Sequence, residues 1–80
     1  MISDRVRQVI AAALQLPVED VTDDLAFNAV PSWDSVNHIA LMLSLEEAFG
    51  LSIPDDDLIE LTTADAIDSY VARMNASPQK

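Results

Sequence analysis

The sequence predicts an all-α fold, specifically a four-helix bundle with a long loop between helices 1 and 2 and a short third helix. Apolar residues recur at helical spacing in three segments, and a short segment between the last two opens with proline and three aspartates. No segment alternates apolar and polar residues as a half-buried strand does, and there are no internal repeats. Eighty residues correspond to one small domain, so we expect a single domain over residues 1–80, with residues 76–80 as a frayed tail.

The first helix is predicted to begin at Ser3, which suits an N-cap, and Asp4 suits the first turn. One apolar stripe follows at spacings i, i+3, i+4, i+7 and i+8: Val6, Val9, Ile10, Ala13 and Leu14. Pro17 marks the end of this helix.

Residues 17–33 contain two prolines, several aspartates and scattered apolar side chains, which predict a loop. A loop this long is unusual in so small a domain and is often functional. We expect its apolar residues to pin it across the helices: Val18, Val21, Leu25, Phe27 and Val30. Residues 21–24 are predicted to form a short helical turn.

The second helix is predicted over residues 35–49 and ends at the only glycine, Gly50. It is apolar on two sides. One stripe contains Leu41, Leu45, Ala48 and Phe49, and the opposite stripe contains Val36, Ile39, Ala40 and Leu43, continued by Glu46 and Glu47. Such a helix is either buried all round, or buried on one face and used for docking on the other. Periodicity alone slightly favours burial all round.

The third helix is short and follows Pro54, because proline suits the first turn and the carboxylates of residues 55–57 suit the helix dipole. The fourth helix begins after the predicted cap Thr63. Its apolar residues repeat at i, i+3, i+7 and i+10: Ala64, Ile67, Val71 and Met74.

Fourteen acidic residues against four basic ones give a net charge of −10. Nucleic acid is therefore a poor partner, since binding to it requires clustered lysine and arginine. The charge favours a partner with a positive patch, although plain solubility explains it as well. No apolar run approaches the roughly 20 residues of a membrane span, and the N-terminus lacks an apolar signal region, so we expect a cytoplasmic protein. With no cysteine, any thiol chemistry needs sulfur from outside the chain.

The candidate reactive groups are few. Ser35 and His38 lie three residues apart on one predicted helix, which is poor geometry for a proton relay, and no third orienting group is evident. A packed or solvated histidine is therefore favoured. Contact between His38 and a phosphate is a minor alternative. The aspartate clusters lack the spacing and the glycine of a calcium loop, so no metal site is predicted. Asp34 and Ser35 are common N-cap residues, and local chemistry alone favours that role.

A series of motifs resembles the acyl carrier protein family in order along nearly the whole chain. The motifs are Val21-Thr22-Asp23-Asp24, Phe27, Trp33-Asp34-Ser35-Val36, Leu41, Leu45-Glu46-Glu47-Ala48-Phe49-Gly50, Ile53-Pro54-Asp55 and Thr62-Thr63-Ala64. The resemblance implies a non-catalytic carrier. Ser35 would hold a covalent 4′-phosphopantetheine arm, installed by a phosphopantetheinyl transferase, and Asp34 would assist recognition by that enzyme. Acyl groups would be carried as thioesters on the arm and presented to partner enzymes.

The resemblance also implies roles for two further sets of residues. The partner-docking face of helix 2 would comprise Val36, Ile39, Ala40, Leu43, Glu46 and Glu47, leaving Leu41, Leu45 and Phe49 to face the core. An acyl pocket would be lined by Phe27, Leu45, Ile53, Leu58, Leu61 and Ile67. The partners would be enzymes that load, elongate or transfer acyl groups and that carry basic or apolar docking patches, and the carrier itself is expected to be a monomer.

This sequence departs from the carriers of primary fatty-acid synthesis. Those carriers have leucine and then an acid after the serine, where Val36 and Asn37 stand, and an acid in place of Ala40. Trp33 replaces a small residue. We expect partners that use more apolar contact and fewer ion pairs, which favours a dedicated carrier of a specialised pathway over general fatty-acid synthesis. The candidate pathways are fatty-acid, polyketide or specialised lipid synthesis. Two alternatives remain, an aminoacyl carrier of the D-alanyl type and an unmodified acidic adaptor; a small hydrolase that uses Ser35 and His38 is remote.

Overall fold

A computed structural model describes the backbone of residues 2–76 and the side chains of residues 2–74. Within that part of the chain there are four α-helices and no strand: α1 (Asp4–Leu14), α2 (Ser35–Phe49), α3 (Asp55–Leu58) and α4 (Ala64–Ala76). The predicted helical class and the four helices are therefore confirmed. Residues 77–80 of the predicted frayed tail lie outside the described residues, whereas Ala76 belongs to α4.

Side-chain caps start three of the helices as the residue types predict. Ser3 Oγ accepts from the Val6 N–H at 3.3 Å, and Thr63 Oγ1 accepts from the Ala66 N–H at 3.0 Å. Helix α1 ends before Pro17, because Gln15 adopts a left-handed conformation with φ of 58°. Gly50 ends α2 with φ of 64°, a conformation that glycine adopts without steric cost.

The long connection between α1 and α2 is held at several points. The predicted helical turn at residues 21–24 is instead a single hydrogen-bonded turn, in which the Leu25 N–H donates to Thr22 O at 3.1 Å. A 3₁₀ turn that was not predicted lies just before it, at Val18–Asp20. Pro17 is extended immediately before it, which is the conformation that starts such a turn. Further on, Ala26 pairs with Thr63 in an isolated antiparallel bridge, in which Phe27 N–H donates to Thr62 O and Ala64 N–H donates to Leu25 O, both at 2.8 Å.

The core is a cluster of apolar side chains drawn from all of these segments. Helices α1 and α2 make the most extensive contact, and α4 packs against α1. From the connection, Val21 and Leu25 are buried and Phe27 and Val30 are partly buried, as predicted, but Val18 is exposed and pins nothing. Trp33 is fully buried, with 0% of its surface exposed.

Helix α3 has a single turn and is tied to its neighbours by side-chain hydrogen bonds. Tyr70 Oη of α4 donates to Asp57 Oδ2 at 2.9 Å, and His38 Nε2 of α2 lies 2.9 Å from Leu58 O. A helix of four residues has little stability of its own. These two hydrogen bonds therefore help to hold it beside the start of α2.

Candidate functional site

Ser35 is exposed at the first helical position of α2. Among the described residues, no hydrogen bond engages its Oγ. The preceding residue, Asp34, caps the helix: its Oδ1 accepts from the Asn37 N–H at 2.9 Å, and its carbonyl accepts from the His38 N–H at 2.8 Å. The capping role that local chemistry favoured thus belongs to Asp34, and the serine hydroxyl is left available.

The start of α2 is a favourable place for an anion. The N–H groups of Ser35 and Val36 have no acceptor within the described residues, as is usual for a first helical turn. The helix dipole adds positive potential at this end. The Nδ2 of Asn37 donates to the Ser32 carbonyl at 2.7 Å, which fixes the loop that leads into the helix.

A cleft of about 290 Å³ opens beside Ser35, between α2 and α3. Its other walls are almost entirely apolar: Phe27, His38, Ile39, Leu58, Ile59 and Thr62. Of the six residues predicted to line an acyl pocket, only Phe27 and Leu58 lie on this cleft. The other four belong to the buried core and do not line the cleft: Leu45, Ile53, Leu61 and Ile67.

An aromatic cluster borders the cleft on its core side. The Trp33 Nε1–H donates to His38 Nδ1 at 3.0 Å, and the two rings stack with an interplanar angle of 24°. The ring of Phe27 meets both of them edge-on. The indole N–H can only donate and the Leu58 carbonyl can only accept, so the arrangement satisfies a neutral imidazole that carries its proton on Nε2.

This arrangement leaves His38 no free nitrogen with which to activate Ser35. Both ring nitrogens are engaged, and the side chain is buried. The packed histidine favoured by the sequence is what the structure contains. A general base must lie within hydrogen-bonding reach of the proton that it removes, with a lone pair to receive it.

A family model described as a phosphopantetheine attachment site (PP-binding) matches residues 4–71. The matched segment contains all of α1, α2 and α3 and most of α4. The chain belongs to the phosphopantetheine attachment family. Proteins of this family carry a covalently attached 4′-phosphopantetheine, are modified by phosphopantetheinyl transferases, and act as carrier domains that are generally non-catalytic.

The outward face of α2 in this carrier domain is mostly apolar. Val36 is 73% exposed and Leu43 57% exposed, and Ile39, Ala40 and Glu47 are exposed beside them. Leu41 and Leu45 on the opposite side are fully buried, while Ala48 and Phe49 are partly buried. The slight preference of the periodicity for burial all round was therefore wrong: α2 is buried on one face only.

Glu46 differs from its predicted position in the docking face, and Trp33 does not supply the apolar contact expected from it. Glu46 is turned away from the outward face: it is half-buried, and its Oε2 accepts from the Ile53 N–H at 2.8 Å, which holds the segment that leads to α3. Trp33 lies inside the protein and so cannot add apolar surface for a partner. The sequence around Trp33 gives no signal that distinguishes a buried indole from an exposed one, because its neighbours are polar loop residues.

Besides Ser35, four residues of the cleft were not predicted to line an acyl pocket: His38, Ile39, Ile59 and Thr62. Ile59 is largely exposed and lies next to the outward face of α2. Among the described residues there is no group of three potential metal ligands, and none of the described helices is long and apolar enough to cross a membrane.

Proposed function

We propose that this chain is an acyl carrier protein whose Ser35 hydroxyl bears the 4′-phosphopantetheine arm. The arm would carry acyl groups to partner enzymes of fatty-acid, polyketide or, by preference, a specialised lipid pathway. The observation that supports this best is the exposed Ser35 Oγ at the start of a 15-residue helix, with an apolar cleft beside it. We further interpret the four helices as the carrier four-helix bundle, acting as a cytoplasmic monomer.

The residues around Ser35 fit the phosphate of the arm. The hydroxyl is free to form the phosphodiester, and the unpaired N–H groups of Ser35 and Val36 can stabilise its negative charge. The arm supplies the terminal thiol that this cysteine-free chain lacks. Asp34 keeps α2 capped, which holds the serine at the first helical position, and we propose that its exposed carboxylate also contacts the transferase.

The outward face of α2 is proposed as the docking surface, comprising Val36, Ile39, Ala40, Leu43 and Glu47. Exposed apolar groups on a chain of net charge −10 suit a partner with an apolar patch and basic residues around it. The lower charge of this region rests on Asn37 and Ala40, where carriers of primary fatty-acid synthesis have acids. This difference supports a dedicated partner, whereas the buried Trp33 adds nothing to the docking surface.

Intact mass after incubation with coenzyme A, Mg²⁺ and a promiscuous phosphopantetheinyl transferase tests the attachment. The wild-type chain and Ser52→Ala, which changes another exposed serine, should each gain the mass of one phosphopantetheine. Ser35→Ala should gain nothing. A gain in Ser35→Ala, or none in the wild type, would contradict the proposal.

The mass of the group carried by protein from its native cell distinguishes the two kinds of cargo. A fatty or polyketide acyl group supports the proposal, and a D-alanyl group supports the aminoacyl alternative. An unmodified adaptor would instead retain partner binding and cellular function in Ser35→Ala.

A further inference from the structure

Four residues on one face of α2 extend from the exposed serine to the buried core. Ser35, His38, Met42 and Leu45 follow one another at helical spacings of three or four residues, which places them on one face. Ser35 is exposed, whereas the other three are buried. The first buried side chain after the serine is thus an imidazole, and the apolar core begins only behind it.

His38 is fixed on both sides. Its Nδ1 accepts from Trp33, whose side chain is fully buried, and its Nε2–H donates to the backbone of α3 at Leu58. Rotation of the ring out of its place would leave the buried indole N–H without an acceptor, and, among the described residues, the Leu58 carbonyl would keep only the Leu61 N–H, at 3.4 Å. A buried donor without an acceptor is strongly destabilising, so these hydrogen bonds hold the ring beside the cleft between α2 and α3.

We propose that His38 is a specificity-determining residue that closes the inner end of the cleft beside Ser35 and limits the length of acyl chain that the protein can shelter. This inference rests on the proposed carrier function. It accounts for the placement of the predicted pocket residues: Phe27 and Leu58 line the cleft together with His38, whereas Leu45, Leu61 and Ile67 belong to the buried core and do not line it.

The volume of the cleft sets the expected limit. An apolar cavity of about 150 Å³ holds one benzene molecule. Benzene has six carbons, so at the same volume per carbon a cleft of about 290 Å³ has room for a chain of at most roughly twelve carbons. Shorter chains should lie in the cleft. A longer chain should leave its far end in solvent, because the way into the core is closed.

The absence of cysteine allows a test that does not depend on any transferase. Ser35→Cys creates a single thiol at the mouth of the cleft, to which butyl, octyl and hexadecyl chains can be joined as mixed disulfides with alkyl methanethiosulfonates. Methyl NMR of the leucine and isoleucine side chains then reports where each chain lies. Ile59 and Leu58 report the cleft, and Leu45, Leu61 and Ile67 report the core.

With His38 present, octyl should shift the Leu58 and Ile59 methyl signals, and hexadecyl should leave the core methyl signals unchanged. Adding His38→Ala should make the core methyl signals shift with hexadecyl. Ile39→Ala is the matched control, because Ile39 lines the same cleft but does not bridge α2 and α3; it should leave the core signals unchanged. Trp33→Phe, which releases one side of the imidazole, should give a smaller core shift than His38→Ala.

The proposal is overturned if hexadecyl already shifts the core methyl signals with His38 present. That measurement needs only the Ser35→Cys background, so it holds even if His38→Ala does not fold. The proposal also fails if a folded His38→Ala behaves as Ile39→Ala does. Failure of Ser35 to accept phosphopantetheine would contradict the proposed function but would leave these disulfide results intact.

Discussion

The indole N–H of Trp33 donates to Nδ1 of His38 across 3.0 Å, between the last turn of the long connection and the first turn of α2. Both side chains are buried, and the other imidazole nitrogen, Nε2, lies 2.9 Å from the carbonyl oxygen of Leu58 in α3. One side chain thereby joins three segments around Ser35. We therefore expect the effects of Trp33 and His38 substitutions on the free energy of unfolding to be coupled and not additive.

A double-mutant cycle on this pair tests that dependence. His38→Leu should lower the free energy of unfolding by about 2–3 kcal/mol, because it leaves the buried Trp33 N–H without an acceptor and removes the stronger of the two hydrogen bonds to the Leu58 carbonyl. Trp33→Phe alone should lower it by about 1–2 kcal/mol. In the His38→Leu background, Trp33→Phe should be nearly neutral, because it removes the orphaned donor.

Urea denaturation of the four proteins gives the coupling free energy, which we expect to be about 1 kcal/mol or more. Simple additivity of the two substitutions would show that the hydrogen bond contributes nothing to stability.

Capping by Asp34 can be separated from recognition by the transferase. Asp34→Ala should lose about 1 kcal/mol of stability because the Asn37 N–H loses its acceptor. Asp34→Asn keeps an oxygen acceptor and removes the charge, so its thermal stability should stay near that of the wild type. If the carboxylate contacts the transferase, Asp34→Asn should still be modified more slowly. Equal modification rates for Asp34→Asn and the wild type would leave Asp34 with the capping role alone.

The neighbouring glutamates of α2 form a matched pair. Glu46→Ala should lower the free energy of unfolding by about 1 kcal/mol, because the Ile53 N–H loses a charge-assisted hydrogen bond. Glu47→Ala changes an exposed side chain and should stay within about 0.5 kcal/mol of the wild type. Denaturant titration measures both differences. Equal effects would contradict the structural role of Glu46.

The two faces of α2 predict opposite outcomes for the same substitution. Leu41→Ala removes a fully buried side chain and should cost about 2–5 kcal/mol of stability. Leu43→Ala changes an exposed residue and should leave stability within about 0.5 kcal/mol. If the outward face docks partners, Leu43→Ala should instead weaken binding to the partner enzyme. Unchanged partner binding in Leu43→Ala would remove Leu43 from the docking surface.

Tyr70 should make stability depend on pH in the alkaline range. Burial of the phenol, and next its hydrogen bond to Asp57, raise the pKa of Tyr70 above the ordinary value for tyrosine. A raised pKa in the folded state gives stability that is complete below about pH 10 and is lost as the pH rises through the folded pKa. Tyr70→Phe should therefore cost about 1 kcal/mol at pH 7, and the difference from the wild type should shrink above about pH 10. Thermal unfolding between pH 7 and 11 measures this; a constant difference would contradict it.

Local features of the sequence predicted the helices because their causes are local. Hydroxyl caps at Ser3 and Thr63, the single glycine after α2 and the proline before three aspartates each act within one turn. The 3₁₀ turn at Val18–Asp20 was not predicted; it follows the extended Pro17, whereas the Val-Thr-Asp-Asp segment forms only a single hydrogen-bonded turn.

The sequence by itself determined the helical class, the helix boundaries near Ser35 and the resemblance that led to the family, since spacing and residue type carry all three. Only the tertiary structure decided which face of α2 is buried, because both faces are apolar and the packing of α1 covers only one of them. It also decided that Trp33 lies inside, that Glu46 binds a backbone N–H and that His38 stands between the serine and the core. Each of these depends on contacts between distant segments, which the order of residues along one helix does not specify.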